Sequence, residues 1–254
     1  MFLMHTIMLL VVYLSAMVVL VCVKKDISIA NFTWGGGVLL LTLYTFFASS
    51  FLGDNYDRSL LVTLLITIWA VRMIAHLYHR YTGKDPRFTT WKTEGGLKSV
   101  IIHSLYIFGP QLVLLLIMSV PSVMVNISPM QPALGLLDFI GLGLWVIGFG
   151  WEAIADYQLY RFMRHTSHDG KIMRAGLWRY SRHPNYFGEV VMWWALFLIA
   201  SSANIFAIIS PITITILLLF VTGIPLVERA LNNNLQFQEY KRKTSAFFPW
   251  FPGK

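Results

Sequence analysis

The run VVMWWALFLIASSANIFAIISPITITILLLFVTGIPLV, from Val190 to Val227, holds 38 residues without a single charge. As one helix it would be about 57 Å long, nearly twice the roughly 30 Å hydrocarbon core of a bilayer. It therefore reads as two membrane spans, about 184–200 and 205–227, divided at Ser201-Ser202-Ala203-Asn204. The rest of the chain repeats the pattern. Further apolar stretches lie at about 2–23, 27–53, 59–79, 99–125 and 133–151. Of the 254 residues 56% are hydrophobic and 13% charged, where a soluble domain carries about a quarter charged. The expectation is an all-α integral membrane protein with about seven transmembrane helices. It forms one polytopic domain over 1–254, with an amphipathic tail at 228–254.

The first apolar stretch, interrupted only by His5, has neither a basic leader nor a small-residue cleavage site, so it reads as an uncleaved anchor. Cys22 lies inside it, and one cysteine makes no disulfide framework. Seven spans alternate sides, and the charges follow. Segments 24–26, 80–98, 152–183 and 228–254 fall on one side and hold 18 of the 20 Lys and Arg residues, the exceptions being Arg58 and Arg72. Positive charge collects on the cytosolic face of membrane proteins. This places the amino terminus outside and the carboxy terminus in the cytosol, across a bacterial inner membrane or the endoplasmic reticulum. It also accounts for most of the net charge of +8 without nucleic acid as a partner.

An ionisable group at membrane depth costs on the order of 3 kcal/mol even on lenient insertion scales, so each one asks for a reason. Arg72 and His76 share one face of the third span, with Tyr78 and His79 near its inner end. They form either a structural polar seam or part of a site. Glu152 and Asp156 stand one turn apart at the inner end of the fifth span, and Tyr160 continues the stripe. Such a pair can take arginines or ligand hydroxyls and amides. A metal is a weak reading, because no His or Cys stands at ligand spacing beside it.

The richest stretch is Gly176-Leu177-Trp178-Arg179-Tyr180-Ser181-Arg182-His183-Pro184-Asn185-Tyr186-Phe187-Gly188-Glu189. Pro184 suits the first turn of a helix, where its missing N–H costs nothing. The opening of that helix, with Arg179 and Arg182 beside it, favours an anion. Asn185 and Glu189 then sit one turn apart on one face, and Arg161, Arg164, Lys171 and Arg174 add positive charge nearby. In the tail, Glu228, Arg229, Tyr240, Lys241, Arg242 and Lys243 precede the aromatic run Phe247 to Phe251. That tail either lies in the membrane interface against anionic lipid or folds back over a pocket.

The run Ala155-Asp156-Tyr157-Gln158-Leu159 through Arg182-His183-Pro184-Asn185-Tyr186-Phe187-Gly188-Glu189 resembles the steroid 5-alpha-reductase-like membrane family, in particular its bacterial branch. Asp26 with Trp34, Trp69 with Arg72, and the tail Tyr240 to Trp250 fit the same branch. The resemblance implies an NADPH-dependent reductase with a cytosol-facing cofactor cavity. It would pass hydride to an enone-type double bond of a sterol-like or other lipophilic substrate. Asp156, Asn185 and Glu189 match cofactor-contacting positions of that family, and Arg164 and Arg179 lie near phosphate-holding ones. Glu152, Arg182, His183, Tyr186, Arg229 and Tyr240 join them on the cofactor side, with His76 and Tyr78 as the catalytic candidates. The family's carbonyl-polarising Tyr falls here on Leu77, in His76-Leu77-Tyr78-His79-Arg80, and Tyr78 follows one residue on. The second span offers no acid to partner it.

The Arg-His-Pro-x-Tyr run is also similar to isoprenylcysteine carboxyl methyltransferases and related membrane methyltransferases, where it helps hold S-adenosylmethionine. That resemblance implies a methyltransferase as the alternative activity. A lipid-binding protein without catalysis is a third reading.

Overall fold

The computed structural model describes residues 2–24, 29–49, 56–80, 96–129, 131–164 and 170–253. Lys25 and Asp26, residue 54 of the expected outer loop, and the polar stretch 81–95 lie outside the described residues. The regular structure of the described residues is all helical, and the chain divides into two compact units, Met1–Ala133 and Leu134–Lys254.

The first unit holds α1 (Phe2–Lys24), α2 (Ala30–Ser49), α3 (Asp57–Arg80), α4 (Gly96–Met118) and α5 (Val120–Asn126). Three consecutive glycines explain how α2 sits among the others. A Cβ on Gly35 would strike Met73 Cε at 2.5 Å, one on Gly36 would strike the Tyr13 hydroxyl at 2.5 Å, and one on Gly37 would strike Leu115 Cδ1 at 2.6 Å. Each glycine thus admits a side chain from a different helix, namely α3, α1 and α4. Several polar groups in this apolar unit bond one another, as a low-dielectric interior favours. Thr42 and Ser122 share a 2.8 Å hydrogen bond, and Asn126 Nδ2 donates to Thr45 Oγ1 at 3.0 Å. Arg58, expected in an outer loop, is instead buried in the first turn of α3, where it donates to the carbonyls of Pro132 (2.9 Å) and Ala133 (3.3 Å).

The fourth expected span breaks. α4 and α5 meet at a 45° bend. Pro121 has no N–H to continue the ladder, and the Ser119 hydroxyl turns back to the Leu115 carbonyl at 2.8 Å. Both effects open a helix.

The second unit holds α6 (Leu136–Met163), α7 (Pro184–Ala200), α8 (Ile209–Ile216), α9 (Ile224–Leu231) and α10 (Leu235–Lys243). α6 and α7 pack backbone to backbone. A Cβ on Gly148 would lie 2.7 Å from the Gly188 carbonyl, and one on Gly188 would lie 2.6 Å from both the Glu152 amide and the Gly148 carbonyl. Small residues at such crossings let membrane helices touch closely. The last span is continuous as an apolar element over Ile205–Leu231, but it widens into a π turn at Leu217–Val221. Pro225 supplies no N–H there, and Gly223 lets the chain pass where a Cβ would come 2.4 Å from the Leu218 carbonyl.

Among the described residues five helices are long and apolar enough to cross a membrane, six with the bent α4–α5 pair. The expectation of about seven is corrected at α7. It forms where the sequence placed it, but its 17 residues make a helix of only about 26 Å. The fifth expected span is longer than anticipated, with α6 running on through the polar residues Glu152, Asp156 and Tyr160 to Met163.

Candidate functional site

Several of the residues expected around the opening of α7 come together within the second unit. His183 caps α7 and Pro184 begins it. The preceding turn, Gly176–Arg179, docks on α6 at three points. The Trp178 indole N–H donates to the Ala155 carbonyl at 3.0 Å, and the Leu177 amide donates to Gln158 Oε1 at 2.9 Å. Gly176 has φ +62° and lies so close to the Gln158 amide that a Cβ would meet it at 2.5 Å, so both conformation and space require glycine there. These contacts bring the start of α7 beside the polar stripe of α6. Asn185 Nδ2 donates to Asp156 Oδ1 at 3.2 Å, and Glu152 and Asp156 are 5% and 7% exposed.

A third carboxylate, Glu228, reaches the same region from α9. Arg182 Nη2 and Nε approach Glu228 Oε1 at 2.7 and 2.8 Å, and Lys241 Nζ approaches Glu228 Oε2 at 2.9 Å. His183 Nε2 lies 3.4 Å from Glu228 Oε1 and, facing a carboxylate, carries the hydrogen that it donates. The ring stacks on Tyr186 with centroids 5.3 Å apart. Burial holds the His183 pKa down at about 4, even with Glu228 opposing it, so the ring is neutral near pH 7.

The tail folds back over this region. The remaining Arg182 donors go to the Lys241 carbonyl at 3.1 Å and to the Thr244 carbonyl, while its amide donates to the Ser245 carbonyl at 2.9 Å. The Tyr240 hydroxyl donates to the carbonyls of Trp178 and Ser181, and burial raises its pKa. Arg174 pairs with Glu239 at 2.9 Å, which holds that exposed carboxyl below its usual range. The backbone of the tail thus folds back, as one of the two sequence readings expected.

These positions change what the basic residues offer. Arg182, expected beside a phosphate, has its guanidinium committed to Glu228 and two carbonyls. Arg164 donates to Tyr160 on its own helix at 3.1 Å, and Arg179 and Arg229 are exposed. The carboxylates beside the start of α7 are committed as well, Asp156 accepting from Asn185 and Glu228 held by Arg182 and Lys241. Glu189 is half-buried one turn beyond Asn185. The catalytic candidates His76 and Tyr78 belong to the first unit. His76 is half-buried, while Tyr78 is 71% exposed with its ring edge-on to His79.

Sequence reasoning missed the engagement of Lys241 with Glu228 and the docking of Trp178 and Gln158. Glu228, an acid in the last turns of a span, carried the signal, since such a group needs cations from somewhere.

The fold and site define a polytopic helical membrane protein with a polar cluster at one end of its second unit. Residues 17–244 match the family described as Protein of unknown function (DUF1295), and the chain belongs to that family. It is 28% identical over 208 residues to methanethiol S-methyltransferase 1 of Bradyrhizobium diazoefficiens, covering 76% of this chain and 70% of that protein. It is 24% identical over 181 residues to an uncharacterized protein of Schizosaccharomyces pombe, covering 61% of this chain and 53% of that one. The chain thus spans about half the length of the yeast relative. No solved structure matches it. These relatives give no support to the expected steroid-reductase kinship or to oxidoreductase activity.

Proposed function

We propose that the protein is an S-adenosylmethionine-dependent membrane methyltransferase whose acceptor is a small thiol or similarly soft, lipophilic nucleophile. The observation that carries this reading is the similarity to methanethiol S-methyltransferase 1 across three quarters of the chain. The donor set supports it. S-adenosylmethionine brings a sulfonium and an ammonium, both positive, and one carboxylate, and its chemistry is delivery of an electrophilic methyl group. Glu152, Asp156 and Glu189 suit the two cations, and Asn185 Nδ2 can serve a carboxylate. NADPH would bring several phosphate charges to a region where Arg182 is already bound to Glu228.

The residues of the chain then divide the work. Asp156 and Asn185 hold each other at 3.2 Å and so fix the side chains that would meet the cofactor. The Arg182–Glu228–Lys241 cluster ties the tail to the start of α7. The distribution of Lys and Arg supports an outward amino terminus, which would put this site at the cytosolic face.

Calorimetry on the full chain in detergent tests the proposal. S-adenosylmethionine should bind, NADPH should not, and Asp156→Asn should weaken the former at least tenfold while leaving the unfolding transition in place. Binding of NADPH without S-adenosylmethionine would overturn it.

A further inference from the structure

The carboxy-terminal strap is held rigidly yet leaves its largest side chains uncovered. Phe248, Trp250 and Phe251 are 67%, 72% and 80% exposed. They are not loose ends folded outward by chance. The Trp250 amide donates to the Tyr180 carbonyl at 2.9 Å, the Gly253 amide to the Lys243 carbonyl at 2.8 Å, and the Ser181 hydroxyl to the Phe247 carbonyl at 2.8 Å. With Arg242 and Lys243 these aromatics line one open groove. Its position relative to a bilayer follows from Glu228, which lies in the last turns of the span Ile205–Leu231 and bonds Lys241 at 2.9 Å. The strap therefore sits where a membrane span ends, at the height of lipid headgroups. Rings with apolar bodies and cations beside them are the side chains that suit that layer.

We infer that this strap is a docking surface for anionic phospholipid headgroups of the membrane the protein spans, with Arg242 and Lys243 meeting the phosphates and Trp250 and Phe251 entering the acyl boundary. The surface is separate from the opening of α7 and stands whether or not that opening binds S-adenosylmethionine. Charge decides the occupant: Arg242 and Lys243 stand side by side while Lys241 is held by Glu228, and Glu239, the acid near them in sequence, is paired by Arg174. An acidic protein segment would meet the same charges, but the span end places lipid there first.

The test uses the full chain in nanodiscs made from lipids brominated near the headgroup, with the difference between the native protein and Trp250→Phe isolating the emission of Trp250. Two cations at a lipid surface favour an anionic over a neutral headgroup by roughly 30-fold. Trp250 should be quenched much more strongly when the brominated lipid is phosphatidylglycerol diluted in unlabelled phosphatidylcholine than with the labels reversed. The Arg242→Gln/Lys243→Gln protein should lose that difference while keeping its unfolding temperature. No quenching of Trp250 by either lipid would overturn the inference, as would equal quenching by both in the native protein. The lipid comparison in the native protein stands even where the double variant misfolds.

Discussion

Replacing Gly188 by alanine tests the contact on which the site is built. The new Cβ would lie 2.6 Å from the Glu152 amide nitrogen, 2.6 Å from the Gly148 carbonyl oxygen and 2.9 Å from Glu152 Cβ. Ordinary contact begins near 3.4 Å, so α6 and α7 must part by about 0.8 Å at this crossing. The obstructing atoms are mostly backbone, and no rotamer change relieves them. Overpacking of this kind costs typically about 1–3 kcal/mol, and two helix backbones in the way put Gly188→Ala at the upper end. For a chain of this size that is a fall of about 5–10 °C in the unfolding midpoint. The bond from Asn185 to Asp156, already 3.2 Å long, would stretch with it, so S-adenosylmethionine affinity should fall as well. Gly143→Ala is the matched control on α6, because nothing lies within 4 Å of its Cβ. Alanine is the better helix former by roughly 0.5–1 kcal/mol, so that protein should be as stable as the native one or more so. Thermal unfolding in detergent, followed by circular dichroism, reads both. Equal midpoints for Gly188→Ala and the native protein, or equal losses for both variants, would refute the close approach of α6 and α7.

Other perturbations follow from the polar cluster. Arg182→Met leaves Glu228 with Lys241 and His183 and strips the Lys241 and Thr244 carbonyls of a donor; a loss of about 3–5 kcal/mol is expected. Limited trypsin digestion should then cut after Lys241 to Lys243 much faster than in the native protein. His183 titrates at about 4 when folded against 6.5 ordinarily, so between these pH values the unfolded chain takes up more protons. The stability present above pH 6.5 is therefore lost as the pH falls toward 4, by at most about 3 kcal/mol, and His183→Asn should flatten this slope in unfolding scans. Trp178→Phe removes the donor to the Ala155 carbonyl and should cost about 1 kcal/mol, seen as a lower unfolding midpoint.

Much of this arrangement is visible in the residues. Lengths of uncharged chain mark the helices, and the split at Ser201-Ser202-Ala203-Asn204 falls where α7 ends and the next apolar element begins at Ile205. Pro184 begins α7 as its missing N–H implies. The boundaries drift where a helix carries polar residues on past its apolar part: α6 keeps Glu152 and Asp156 on a face packed by α7, so hydropathy ends twelve residues before the helix does. The pairing of Asn185 with Asp156 was within reach of the sequence, since each belongs to a polar stripe, with Glu189 and Glu152 one turn away. The commitment of Arg182 was not. An arginine beside a helix opening looks the same in sequence whether it waits for a phosphate or holds a carboxylate 46 residues away. That ambiguity is what made a reductase and a methyltransferase compete over one Arg-His-Pro-x-Tyr run.

The most direct test of the account is transfer of an isotopically labelled methyl group by the purified full chain reconstituted in lipid. The methyl donor is S-adenosylmethionine, and the acceptors are a series of small alkyl thiols. The account predicts a labelled methyl thioether, with one S-adenosylhomocysteine formed per methyl and rates reduced at least tenfold in Asp156→Asn. Absence of any labelled product, with NADPH consumed in the presence of an enone instead, would contradict it.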